Sequence, residues 1–72
     1  MRYAVVYENT GSGYGAYAPD LPGCVSTGRT LEEAERNMQE AIRFHPEGLR
    51  EDGSPIPEPT TRAGMLPVES AA

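Results

Sequence analysis

Cys24 and His45 are the chain's only thiol and only imidazole, and the one pair that could serve as nucleophile and base. A cysteine attacks as the thiolate, so a histidine within hydrogen-bond reach would have to take its proton. The alternative is a small buried cysteine and a histidine packed at the core boundary, with no chemistry between them. One histidine, one cysteine and scattered carboxylates do not supply the four ligands of a structural zinc site. Arg29, Arg36, Arg43 and Arg50 form a third pattern, recurring every seven residues near one line along a helix. Such a stripe could track phosphates. Glu33, Glu40 and Glu47 repeat with the same period, however, and set up alternating i,i+3 and i,i+4 ion pairs that would neutralise the arginines. No catalytic residue, metal, cofactor or direct nucleic-acid contact is expected from these patterns.

The elements that would position these residues follow from local patterning. Arg2–Glu8 is rich in β-branched and aromatic residues and reads as a strand, with Tyr3, Val5 and Tyr7 on one face and Ala4 and Val6 on the other. Asn9–Gly13 is a flexible turn, which makes Tyr14–Asp20 the second arm of a hairpin. In Leu21-Pro22-Gly23-Cys24, proline followed by glycine is the order that a type II turn requires, and Cys24–Gly28 then forms a third short strand. Thr30-Leu31-Glu32-Glu33 reads as a capping box that starts a helix. Leu31, Ala34, Met38, Ala41, Ile42, His45 and Leu49 advance by three or four, giving one stripe toward the sheet. Pro46 kinks this helix, which runs to about Arg50, or else breaks it. Residues 53–64 are a Pro-rich connector; its PxPxP run could dock on an aromatic groove, although a plain linker is the simpler reading. Met65–Glu69 returns as a last edge strand, with Ser70–Ala72 frayed.

Composition narrows the class. At 72 residues the chain is expected to form one domain of marginal stability, helped by a partner or by self-association. A net charge of −5 argues against a phosphate-binding surface and fits a basic partner. A lone cysteine cannot make an intrachain disulfide, and the start Met1–Glu8 is too short an apolar run for a signal peptide. A cytoplasmic protein without a membrane span is therefore expected. All six basic residues are arginine, a weak indication of a GC-rich coding sequence.

Tyr17, Pro19-Asp20-Leu21-Pro22-Gly23-Cys24, Gly28, Thr30 and Glu33-Ala34 occur here in close succession. This run resembles the N-terminal domain of the HicB family, the antitoxins of HicA–HicB toxin–antitoxin pairs. The resemblance continues through Ala41-Ile42, Leu49 and Glu51–Pro59. It implies an α+β fold: a small antiparallel β-β-β-α-β sheet with one helix on one face, like a truncated RNase H fold. It further implies a partner, a small basic RNA-cleaving HicA-like toxin with a double-stranded-RNA-binding-like fold. Many family members carry a DNA-binding domain after this module, and within these 72 residues none is expected. An RNase H nuclease needs several carboxylates converging on two metal ions. Asp20 and Asp52 are the only aspartates, one at a strand end and one in a loop, so that activity is not expected.

Binding is what remains. Tyr3, Tyr7 and Tyr17 fall on alternating strand positions and could share one exposed face with Asp20 nearby; the alternative is that they face the helix as core. Pro22, Gly23, Gly28, Thr30 and Glu33 are expected to be structural. Two functions follow. One is an antitoxin-like module that neutralises a HicA-like toxin by occluding it. The other is a stand-alone homo-oligomer, dimer or tetramer, of the same fold with no toxin partner and no enzymatic activity.

Overall fold

The computed structural model describes residues 2–51, 53 and 55–69, with side chains described outside 46–51. Three short strands, β1 (Val6–Asn9), β2 (Tyr14–Tyr17) and β3 (Val25–Gly28), precede one helix, α1 (Leu31–Glu51). The strands form an antiparallel sheet in the order β1-β2-β3, with the helix across β3 and β2. The α+β class and the ββ(β)α order agree with the sequence.

Asn9 organises the first hairpin: its Oδ1 accepts from the Gly11 amide at 2.8 Å, and Thr10 N–H donates to Gly13 O at 2.9 Å. Between β2 and β3 the chain makes two consecutive turns. Leu21 N–H donates to Ala18 O, then Cys24 N–H donates to Leu21 O at 3.0 Å. The second closes over Pro22 and Gly23, and Gly23 has φ +79°, the left-handed value that a type II turn demands at this position. The turns end β2 at Tyr17, earlier than the expected Asp20. β1 likewise starts at Val6 rather than Arg2, because its partner strand has already turned away.

Thr30 caps the helix, its Oγ1 accepting from the Glu33 amide at 3.1 Å. Glu33 reaches back one residue further than a capping box requires, accepting from the Arg29 amide at 3.3 Å. Part of the first glutamate in the arginine–glutamate series is thereby committed to the backbone. Ala34 and Met38 are buried, and Ala41 and Ile42 half-buried, as the stripe predicts. The helical backbone runs through Pro46 to Glu51, so the proline does not end it. The Leu49 side chain lies outside the described residues.

The core gathers Ala16 from β2, Ala18, Leu21 and Cys24 from the double turn, and Met38 from α1, flanked by Tyr3, Val5, Tyr7, Ala41 and Ile42. Two side chains fasten the helix to β3: Ser26 Oγ donates to Ala34 O, and Asn37 Nδ2 donates to Thr27 O at 2.7 Å.

The expected last strand does not form: residues 65–69 have no regular structure, and Met65, Leu66 and Val68 are 97%, 90% and 92% exposed. Pro67 has no amide to donate, and the segment lies against no strand edge. The observed order among the described residues is therefore β-β-β-α, followed by an extended strap. The strap is held at two points, by Tyr3 and by Asp20.

Candidate protein-binding surface

Register decides which residues share a face. Tyr7 pairs with Ala16, and Ala16 with Ser26; Ala16 is buried and Ser26 bonds the helix, so this row faces α1. The neighbouring row, Val6–Tyr17–Val25, must point the other way, because successive side chains alternate across a strand. It is joined on that open face by Glu8, Gly15 and Thr27. Tyr17 is 41% and Val25 64% exposed.

The four residues expected to form one binding face are thus divided. Tyr3 and Tyr7 pack against the core. Tyr7 sits in the helix layer, where burial first and the negative charge of Glu35 second push its phenol pKa up. Tyr3 donates from its hydroxyl to Pro57 O at 2.7 Å, pinning the strap. Tyr17 alone of the three tyrosines is on the open face. The shared-face expectation fails because β1 meets β2 with Tyr7 opposite Ala16, which puts Tyr7 and Tyr17 on opposite sides.

Asp20 is a clamp. Its Oδ2 accepts from the backbone amides of Thr60 and Thr61 at 2.9 and 2.7 Å, and its Oδ1 from their hydroxyls at 3.1 and 2.7 Å. Hydrogen bonds from Thr61 above all, then Thr60, favour the carboxylate and hold its pKa below the usual range. These contacts span some forty residues of chain, and no local pattern announces them. Val6 lies on the face opposite Tyr7, as the strand alternation predicts, and only the register adds Val25 to its row.

The candidate chemical groups do not assemble. Cys24 is buried in the core, and burial pushes its thiol pKa up, away from a reactive thiolate. His45 is half-buried, its Nε2 enclosed without a hydrogen-bond partner among the described residues. Asp52 lies outside the described residues. Among those described, no three His, Cys, Asp or Glu side chains converge as a metal site. Arg36, Gln39, Glu40 and Arg43 line a shallow groove of mixed charge on the exposed side of α1. No described helix is long and apolar enough to cross a membrane. What the described residues assemble is an apolar row on an open sheet face, beside a clamped strap.

The chain is similar to known proteins in sequence and in fold. The family described as HicB-like antitoxin of bacterial toxin–antitoxin systems matches residues 3–68. An uncharacterised 14.9 kDa protein of Haemophilus phage HP1 is 47% identical over 58 residues, covering 81% of this chain and 44% of that protein. The chain thus spans under half the length of that relative. A UPF0150 protein of Helicobacter pylori is 47% identical over 52 residues, covering 72% of each chain. Antitoxin HicB 2 of Photorhabdus laumondii is 36% identical over 62 residues, covering 86% of this chain and 45% of its own length. Among solved structures, a chain of a HicA3 and HicB3 toxin–antitoxin complex superposes with a TM-score of 0.71 at 33% identity, covering 83% of this chain and 70% of that one. With the type II turn, the capped helix and the three-stranded sheet all in place, the chain belongs to the HicB-like antitoxin family.

Proposed function

We propose that this chain is the toxin-binding unit of an antitoxin, and that it neutralises a small basic, RNA-cleaving HicA-like toxin by covering it. The likeness to a chain from a HicA3–HicB3 complex is the observation that carries this reading. Residues 1–72 act as a single HicB-like unit in the cytoplasm, with the connector 53–64 serving as the strap.

The chemistry fits inhibition by complementarity. A net charge of −5 speeds encounter with a basic partner and disfavours RNA itself. Asp20 is occupied by its four donors, so it is a poor contact for an incoming arginine or lysine. The exposed carboxylates of Glu8, Glu32, Glu35 and Glu58 are free of that constraint and supply the complementary charge. No residue of the chain need do chemistry, since occlusion alone stops cleavage.

Purification of the tagged chain from its own cells, with intact mass of whatever co-elutes, tests this. A stoichiometric small basic protein whose RNA cleavage stops on adding the chain is the expected result. Recovery of the chain alone, as a defined oligomer that no candidate toxin alters, would favour the stand-alone homo-oligomer.

A further inference from the structure

Two apolar surfaces of this chain stand open to solvent. One is the row Val6–Tyr17–Val25, the last rung of the open sheet face before the double turn. The other is the segment beyond the strap, where Met65, Leu66 and Val68 are 97%, 90% and 92% exposed. Asp20, three residues past Tyr17, holds Thr61 and so fixes the point from which that segment departs.

We infer that these surfaces are the two halves of one interface: segment 65–68 of one copy docks on the Val6–Tyr17–Val25 row of a second copy, reciprocally, in a two-fold dimer. Reach permits it. At about 3.4 Å per residue, Met65 and Val68 extend up to roughly 14 and 24 Å from Thr61. An opposing sheet face lies about 10 Å away. Within one copy the segment's three apolar side chains stay almost fully exposed, so they are left unpacked by their own chain.

Area requires the exchange. Three four-residue strands cover about 200 Å², a fraction of the roughly 800 Å² per partner that a stable interface needs. Bare sheets facing each other would not hold. Two exchanged segments, each with three apolar side chains, extend the contact beyond the sheets, and a two-fold axis makes the arrangement self-complementary and closed. Pro67 prevents full ladder pairing, so the segment docks through its side chains. The helix stays outside this dimer, which does not depend on any toxin.

Sedimentation of the full chain, with Val25→Asp and Leu66→Asp as variants, tests the inference. Both positions are mostly exposed, so circular dichroism should show unchanged folding. The expected result is a dimer whose dissociation constant rises at least about tenfold in each variant. A Val25→Cys chain mixed with a mass-tagged Leu66→Cys chain should then form an intermolecular disulfide under mild oxidation, which wild-type Cys24 alone does not. A monomer at all concentrations overturns the inference. So does a dimer indifferent to Leu66→Asp, or a Val25→Cys/Leu66→Cys double variant that links within one chain. Loss of toxin capture by Val25→Asp with the dimer intact would assign the row to the toxin instead.

Discussion

Gly28 lies directly against the backbone of Ala34, where the end of β3 meets the first turn of α1. A Cβ at position 28 would come within 2.9 Å of Ala34 Cα and 2.9 Å of Glu33 carbonyl carbon, and closer still to Ala34 N. The obstacle is backbone, and that backbone is held by the Thr30 cap and by Ser26 Oγ bonded to Ala34 O. Gly28→Ala therefore has to push the helix off the sheet. A cost of about 3 kcal/mol, the upper part of the usual range for overpacking, is expected. For a domain this small that is a large share of total stability. A chemical-denaturation curve checks it, and an unchanged midpoint would show that the helix can shift freely.

Gly23 is a different case. A Cβ there meets nothing within 4 Å, but its φ of +79° lies in the left-handed region. Gly23→Ala should cost about 1 kcal/mol from backbone strain alone. Gly23→Asn should recover part of that loss, because asparagine tolerates this conformation. Equal thermal melts for wild type and the alanine variant would remove the type II turn as a stability determinant.

Thr30→Ala removes the hydroxyl that satisfies the Glu33 amide and should destabilise by about 1 kcal/mol. Thr30→Ser, which keeps the acceptor, should retain most of that stability. The contrast separates capping from packing, since both variants lose the methyl group. Equal losses in the two melts would point to packing.

The local devices were legible because each is short and stereochemically specific. Pro22-Gly23 allowed one economical turn, Thr30 with Glu33 one helix start, and the three-four spacing one buried stripe. The division of the tyrosines was also encoded, in the length of the first hairpin loop. Pairing Asn9 with Tyr14 places Tyr7 opposite Ala16 and Val6 opposite Tyr17, fixing parity for every residue in both arms. Reading β1 as an isolated strand, apolar on both faces, concealed that. The Asp20 clamp was not legible, since a carboxylate at a turn and two threonines forty residues later have no periodic relation. The missing last strand shows the converse. Met65-Leu66-Pro67-Val68 has strand-like composition, but no neighbouring edge completes it.

Asp20 gives the strap a pH dependence with a defined sign. Its carboxyl pKa is lowered in the folded chain, so its contribution is present above the ordinary aspartate value of about 3.9 and is lost as pH falls through the lower folded value. The strap should stay fastened at neutral pH and release in acid, after unperturbed carboxyls have already protonated. Amide exchange at Thr60 and Thr61 reads this directly, with protection lost below that range. Asp20→Ala should abolish the protection at every pH and speed tryptic cleavage after Arg62. Protection that persists in the variant would show that the strap is held by Tyr3 alone.

Tyr7 and Tyr17 sit on adjacent strands, yet their truncations should have opposite consequences. Tyr7 is packed toward the helix among the core side chains, so Tyr7→Ala opens a void against Ala16 and its neighbours. A half-buried aromatic should cost about 2–3 kcal/mol, somewhat less than the 3–5 of a fully buried one. Tyr17 points to the open face, and its loss leaves the core untouched, so Tyr17→Ala should change stability by about 0.5 kcal/mol or less at concentrations where the chain is monomeric. Its effect should appear in association, because an aromatic at the centre of the Val6–Tyr17–Val25 row is the kind of residue that dominates an interface. Melts of both variants at low concentration, set beside their sedimentation at high concentration, separate the two roles. A destabilised Tyr17→Ala monomer would mean that this side chain belongs to the core after all, and the open face would lose its central contact.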